Sequence, residues 1–179
     1  THGRLMDGDA DGTAGGHYLR SFTLAATTGA TLSIPDFARG AGQDVNLPAT
    51  GSGLPVRITN AALASTVEFT LAYDPSLLEI TGVSAAVAGA SASADFSVAG
   101  QVRISVTGLG GLTNATTDLV RLAARVPDAT IASQYGAKQV LDLRDVRING
   151  GAIAAIADDG VHVAAYLGDA SGNAVYTSY

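Results

Sequence analysis

An all-β sandwich is the fold class that the sequence predicts, on three observations. Apolar side chains recur with a period of two, turn-forming residues separate the alternating runs, and the one helical candidate is a single turn after Asp128, over Ala129 to Ser133. Alternation matters because successive residues of an extended chain point to opposite faces, so a period of two places the apolar set on one side.

Taken in order, Val45 to Leu47 and then Val56 and Ile58 around Arg57 open the series. Val67, Phe69, Leu71 and Tyr73 alternate with Glu68, Thr70 and Ala72, and Leu78 to Ile80 and Phe96 to Val98 give two shorter candidates. Val102, Ile104 and Val106 flank Arg103 and Ser105. Val120, Leu122, Ala124 and Val126 flank Arg121 and Arg125, and Val161 and Val163 flank a solvent-facing His162. Between Val140 and Ile148 the inward set changes parity, from Leu141 and Leu143 to Val146 and Ile148, which calls for a β-bulge or a crossing between sheets near Arg144-Asp145. Asp74-Pro75, Ala99-Gly100, Asn149-Gly150-Gly151 and Asp159-Gly160 supply the turns. The sum is about eight or nine short strands, spaced as in a sandwich rather than in βαβ units.

Composition narrows the function. The 179 residues suit one main domain with tails, and a charged fraction of 15% with 22 glycines is unlike that of a disordered chain. A net charge of −6 with ten scattered Lys and Arg argues against nucleic acid. The absence of cysteine removes disulfides, thiolate nucleophiles and Cys-based zinc sites together. His2, His17 and His162 are too dispersed for a zinc helix or a catalytic triad, and Asp158, Asp159 and Glu79 have no aromatic cluster to build a pocket around them. With no Trp, and with Tyr18, Tyr135, Tyr166, Tyr176 and Tyr179 not arranged as a row, stacking against sugars is poorly provided for.

The central stretch carries a resemblance. Leu54-Pro55-Val56-Arg57-Ile58-Thr59-Asn60, then Val67 to Tyr73 closing in Asp74-Pro75-Ser76-Leu77-Leu78, resembles the cohesin family, and Asp145 to Gly150 and Gly160 to Val163 fit the same layout. The likeness covers about residues 41 to 165. It implies a nine-stranded jelly-roll β-sandwich, with an additional N-terminal loop and strand here, acting as a non-catalytic extracellular module that docks a calcium-loaded dockerin. Strand parity and family layout together nominate Glu68, Thr70, Arg103, Ser105, Asp142 and Arg144 as the partner-binding set. A carbohydrate-binding module and a calcium-stiffened stalk domain are the alternatives on the same scaffold. The likeness further implies a bacterial protein, secreted or at the cell surface.

The ends read as pieces of a longer chain. Residues 1–34 resemble the end of a bacterial Ig-like repeat, with a strand over Leu19 to Leu24 whose open edge invites self-association; 35–167 form the cohesin-like sandwich. Residues 168–179 resemble the opening of a dockerin calcium loop, with Asp169, Ser171 and Asn173 as its first ligands, but Ala174 replaces the usual turn glycine and the closing acidic ligand falls beyond Tyr179.

Near the other end, Asp7, Asp9 and Asp11 with Gly12 form D-x-D-x-D-G, the first half of an oxygen-ligand calcium cage in which alternate carboxylates converge on one ion. Calcium bound there in the native state alone would raise stability by about 2.7 kcal/mol at 100-fold excess over Kd. Thermal melts in excess EDTA and in millimolar Ca²⁺ are therefore expected to separate, and superimposable curves would remove the site.

Overall fold

A computed structural model describes residues 12–15, 17, 21, 29–128 and 134–169 of the chain. The expected strand at Leu19 to Leu24, the turn at Ala129 to Ser133, and the carboxylates of Asp7, Asp9 and Asp11 lie outside the described residues.

Two sheets face each other. The first holds β1 (Ala30–Ser33), β3 (Leu54–Thr59), β5 (Glu79–Ala85), β8 (Thr117–Arg125) and β10 (Ala155–Asp158), in the order β10, β1, β3, β8, β5. The second holds β2 (Phe37–Arg39), β4 (Val67–Ala72), β6 (Ser91–Asp95), β7 (Gln101–Thr107), β9 (Lys138–Ile148) and β11 (Gly160–Ala164), in the order β2, β11, β9, β4, β7, β6. The first and last strands are each divided between the sheets. β1 runs parallel to β10 in one, and β2 runs parallel to β11 in the other. Counted as one strand each, the divided pairs leave nine strands among the described residues, the number that the resemblance implies for the jelly roll.

The crossing point explains several local residues. A Cβ at Gly160 would sit 2.7 Å from the Ile34 carbonyl oxygen and 2.9 Å from that of Pro35, so only glycine lets the two divided strands pass. Two carboxylates stand in for the ladder where the chain changes sheet: Asp36 Oδ1 accepts the Val161 N–H at 2.7 Å, and Asp159 Oδ1 accepts the Leu143 N–H at 2.8 Å.

Between the sheets lies one apolar core. Val67, Phe69 and Leu71 of β4, Val102, Ile104 and Val106 of β7, and Leu141, Leu143 and Ile148 of β9 pack against Leu54, Val56 and Ile58 of β3 and Val120 and Leu122 of β8. These are the residues that alternation selects. The parity change in β9 is a bulge within one sheet. The β4–β9 register shifts between Glu68 and Thr70, one more residue is spent on β9 than on β4, and Asp145 takes a φ of 52°.

Several expectations need correction. The boundary expected at residue 35 moves: β1 is an inner strand of the first sheet with Ala30 and Leu32 buried, so the sandwich starts before residue 35. Val45 to Leu47 contributes no strand beyond a bridge at Asp44, and Leu78 precedes β5. Phe96 to Val98 is a loop, with Phe96 and Val98 exposed, whereas the neighbouring strand is Ser91–Asp95, whose Ala92 and Ala94 were too small to stand out as an apolar row.

The face of β11 is also reversed. Val161 is exposed and His162 is fully buried, because β2 brings Phe37 onto the imidazole with ring centroids 4.7 Å apart. Gln139 fixes the tautomer. Its Oε1 accepts the Asp74 N–H, so its amide nitrogen donates to His162 Nδ1 at 3.0 Å, which leaves the imidazole proton on a buried Nε2 with no hydrogen-bond partner among the described residues. Burial pushes His162 from 6.5 down to about 4, only partly offset by the Arg39 backbone.

Because the folded-state value is lowered, the unfolded chain takes up the proton first. Stability is complete above pH 6.5, declines as the pH falls, and is lower by up to about 3 kcal/mol once the pH passes about 4. Urea unfolding of wild type and His162→Phe between pH 7.5 and 4 is expected to show a steeper decline for wild type. Parallel declines would show that the histidine contributes nothing to acid sensitivity.

Candidate protein-binding face

The outer surface of the six-stranded sheet is set by the residues that alternate with the core. Because β4 and β7 bury one alternate set completely and β9 buries Leu141, Leu143 and, after its bulge, Ile148, the other set must face outward, and the ladder arranges it in rows. In one row Asp95, Arg103, Thr70 and Arg144 lie on β6, β7, β4 and β9. Beside it run Ser93, Ser105, Glu68 and Arg147 in the same strand order. A third row joins Gln101, Ala72 and Asp142. All six residues nominated from the sequence, Glu68, Thr70, Arg103, Ser105, Asp142 and Arg144, therefore share one surface.

Its relief follows from side-chain size. Ser93, Ser105, Thr70 and Ala72 make a low floor along β6, β7 and β4, and the arginines of β7 and β9 rise beside it. Arg103 is 70% exposed and approaches Glu68 Oε2 at 3.9 Å, too far for a strong bond. Arg144 is 55% exposed, and its Nε donates to Asp142 Oδ2 at 2.6 Å, an interaction that raises the guanidinium pKa further. The Ser97 backbone N–H donates to Asp95 and holds that carboxyl below its usual value. A shallow hollow between the rows is lined by Glu68, Thr70, Arg103, Asp145 and Arg147.

The opposite sheet treats its arginines differently. Arg121 is only 23% exposed, donates to the Leu47 and Ser52 carbonyls at 3.0 Å, and shares Asp118 with Arg57. Arg121 thereby ties a surface loop to the sheet, whereas Arg103 and Arg144 project into solvent where a partner can reach them.

Sequence reasoning missed part of this surface. Arg147 faces outward because the bulge restores the inward position to Val146 and Ile148, a signal present in the parity change itself. Asp95 and Ser93 belong to a strand without large apolar residues, and only pairing with β7 brings them to the face. Val140 and Val161 are cross-strand partners, 56% and 38% exposed, and extend the same surface toward β11.

The other proposed sites stand apart. Asp169 accepts a hydrogen bond from the Tyr135 hydroxyl, and Ser171 and Asn173 lie outside the described residues. Among the described residues no three His, Asp or Glu side chains gather as a metal site. Tyr135 and Tyr166 pack tilted at 41° against one another, beside the chain that leaves β11, rather than forming a flat aromatic platform.

The model of the cohesin domain matches residues 31–146. The chain belongs to the cohesin domain family. No curated protein sequence matches it. Solved structures do. A non-cellulosomal cohesin from the hyperthermophilic archaeon Archaeoglobus fulgidus is 18% identical, with 80% of this chain and 96% of that chain aligned at a TM-score of 0.60. The sixth cohesin of scaffoldin B from Acetivibrio cellulolyticus, solved in complex with a Cel5 dockerin, is 17% identical over 76% of this chain and 99% of that one, at 0.60. A cohesin in a type I cohesin–dockerin complex from Clostridium thermocellum is 12% identical over 82% and 100%, at 0.59. At these identities the structures share the fold with this cohesin. An archaeal relative among them means that membership of the family does not assign a bacterial source.

Proposed function

We propose that this cohesin is a non-catalytic module whose six-stranded sheet docks a dockerin. The observation that carries the reading is that cohesins of the same fold were solved in complex with dockerins, and that this chain keeps on one outer sheet face a set of exposed charged residues, Arg103 and Arg144 among them. The side chains there are spread over three strands on a shallow surface, as suits contact with a folded partner rather than enclosure of a small substrate. Arg103 and Arg144 are the anchors, since a planar guanidinium pairs bidentately with a carboxylate and arginine is enriched among the few residues that dominate such interfaces.

The setting belongs to the same proposal. A secreted or cell-surface location and calcium on the dockerin go with the cohesin reading, and a structural calcium ion at Asp7, Asp9 and Asp11 agrees with the carboxylate spacing at the N-terminus.

The reading is tested by replacing Arg103 and Arg144 together with Glu and titrating the dockerins encoded in the same genome by calorimetry in calcium. Both side chains are exposed, so circular dichroism melts should match wild type. Affinity is expected to fall more than tenfold, about 1.4 kcal/mol or more. If wild type binds none of the dockerins, the partner is wrong. If the double variant binds like wild type, the partner stands and the face is wrong.

A further inference from the structure

The bulge in β9 lies in the middle of the proposed docking face, and its consequences go beyond register. One extra residue on β9 opposite Glu68 and Thr70 leaves Arg144 and Asp145 exposed in succession before Val146 turns inward. Asp145 holds a φ of 52°, a conformation that side chains with a Cβ adopt at a cost and that Gly, Asn and Asp tolerate best. The chain thus spends an awkward backbone geometry, with a charged residue rather than glycine, at an exposed point where the core gains nothing from the side chain.

The charges around it are unequally engaged. Arg144 is held by Asp142, and Glu68 leans toward Arg103 at 3.9 Å. Glu68 faces Arg147 directly in the ladder, yet the two do not pair. Asp145 and Arg147 line the same hollow, two residues apart; the charge of Asp145 acts on the neighbouring Arg144, but neither side chain makes a hydrogen bond or an ion pair among the described residues. They are one carboxylate and one guanidinium, both exposed and neither held by a side-chain hydrogen bond, on either side of the inward-turning Val146.

From this arrangement we infer that Asp145 and Arg147 are the specificity pair of the docking face. They receive a basic side chain at Asp145 and a carboxylate at Arg147 from the partner. Two exposed charges of opposite sign in a fixed order recognise a complementary pair and repel the reversed one, so they select among partners rather than only attracting them. Docking at this pair also breaks no internal bond, whereas Arg144 must share Asp142 with any newcomer. The bulge is the device that lifts Asp145 to the surface while keeping Val146 and Ile148 in the core.

The inference rests on the docking reading above, and its test is arranged so that the two can fail separately. Asp145→Asn with Arg147→Gln removes both charges, leaves the net charge at −6, and keeps a residue that tolerates positive φ. The probe is the dockerin that wild type binds most tightly in the titrations above, loaded with calcium. The double variant should melt as wild type does, bind about tenfold more weakly, and show a smaller loss of affinity with added salt. As a second variant, Asp145→Gly suits the backbone better, so it should fold at least as stably and still bind more weakly. If wild type binds and both variants bind equally well with the same salt dependence, the specificity pair is overturned and the docking face remains. If wild type binds no dockerin, the docking reading and this pair fall together.

Discussion

The division of the first and last strands between the two sheets is the constraint on which the sandwich depends. β1 and β10 close one sheet while β2 and β11 close the other, so a single pair of chain segments ties both layers along one side. The crossing is crowded. It requires Gly160 against the Ile34 and Pro35 carbonyls, and the N–H groups released from the ladder must be satisfied by Asp36 and Asp159. A side chain at Gly160 would push the divided strands apart and expose the core between them.

With the layers closed, the six-stranded sheet has two nearly independent faces. Phe69, Leu71, Ile104 and Leu143 stay in the core, and their neighbours Glu68, Thr70, Arg103, Asp142 and Arg144 are free to vary without loss of packing. Only the β9 bulge connects the two roles. It sets which residue of 144–147 turns toward the core, the half-buried Val146, and by the same step it places Asp145 and Arg147 on the surface. The outer face is a property of the strand order, since each of its rows joins residues from strands far apart in the chain.

His162 shows where a local pattern gives way to packing. Alternation around Val161 and Val163 puts the imidazole outside, and within an isolated strand that is the better arrangement for a polar ring. Phe37, from a strand more than a hundred residues earlier, covers the other side, and Gln139 satisfies Nδ1, so the imidazole is held neutral in the core. The stability of the module in mild acid is tied to that ring for the same reason.

Much of this was legible in the sequence. The cores of β3, β4, β7 and β8 followed from large apolar residues at every second position, and a change of parity between Leu143 and Val146 marked either a bulge or a crossing between sheets, of which the pairing with β4 shows the bulge. Those signals are local, since each is written in neighbouring residues, and the grouping of Glu68, Thr70, Arg103, Ser105, Asp142 and Arg144 on one face came from them with the family layout. Other features had no local signal. The strand over Ala30 to Ser33 sits in a Thr- and Ala-rich stretch that is extended because β3 and β10 pair with it on either side, and Ser91–Asp95 is a strand because β7 offers an edge. The burial of His162, the unpaired state of Arg147 beside Glu68, and the passage of two strands at Gly160 were decided only by the tertiary structure. Each depends on which residues distant in sequence the sheet order brings within a few ångströms, and side-chain periodicity along one strand carries no record of its neighbours.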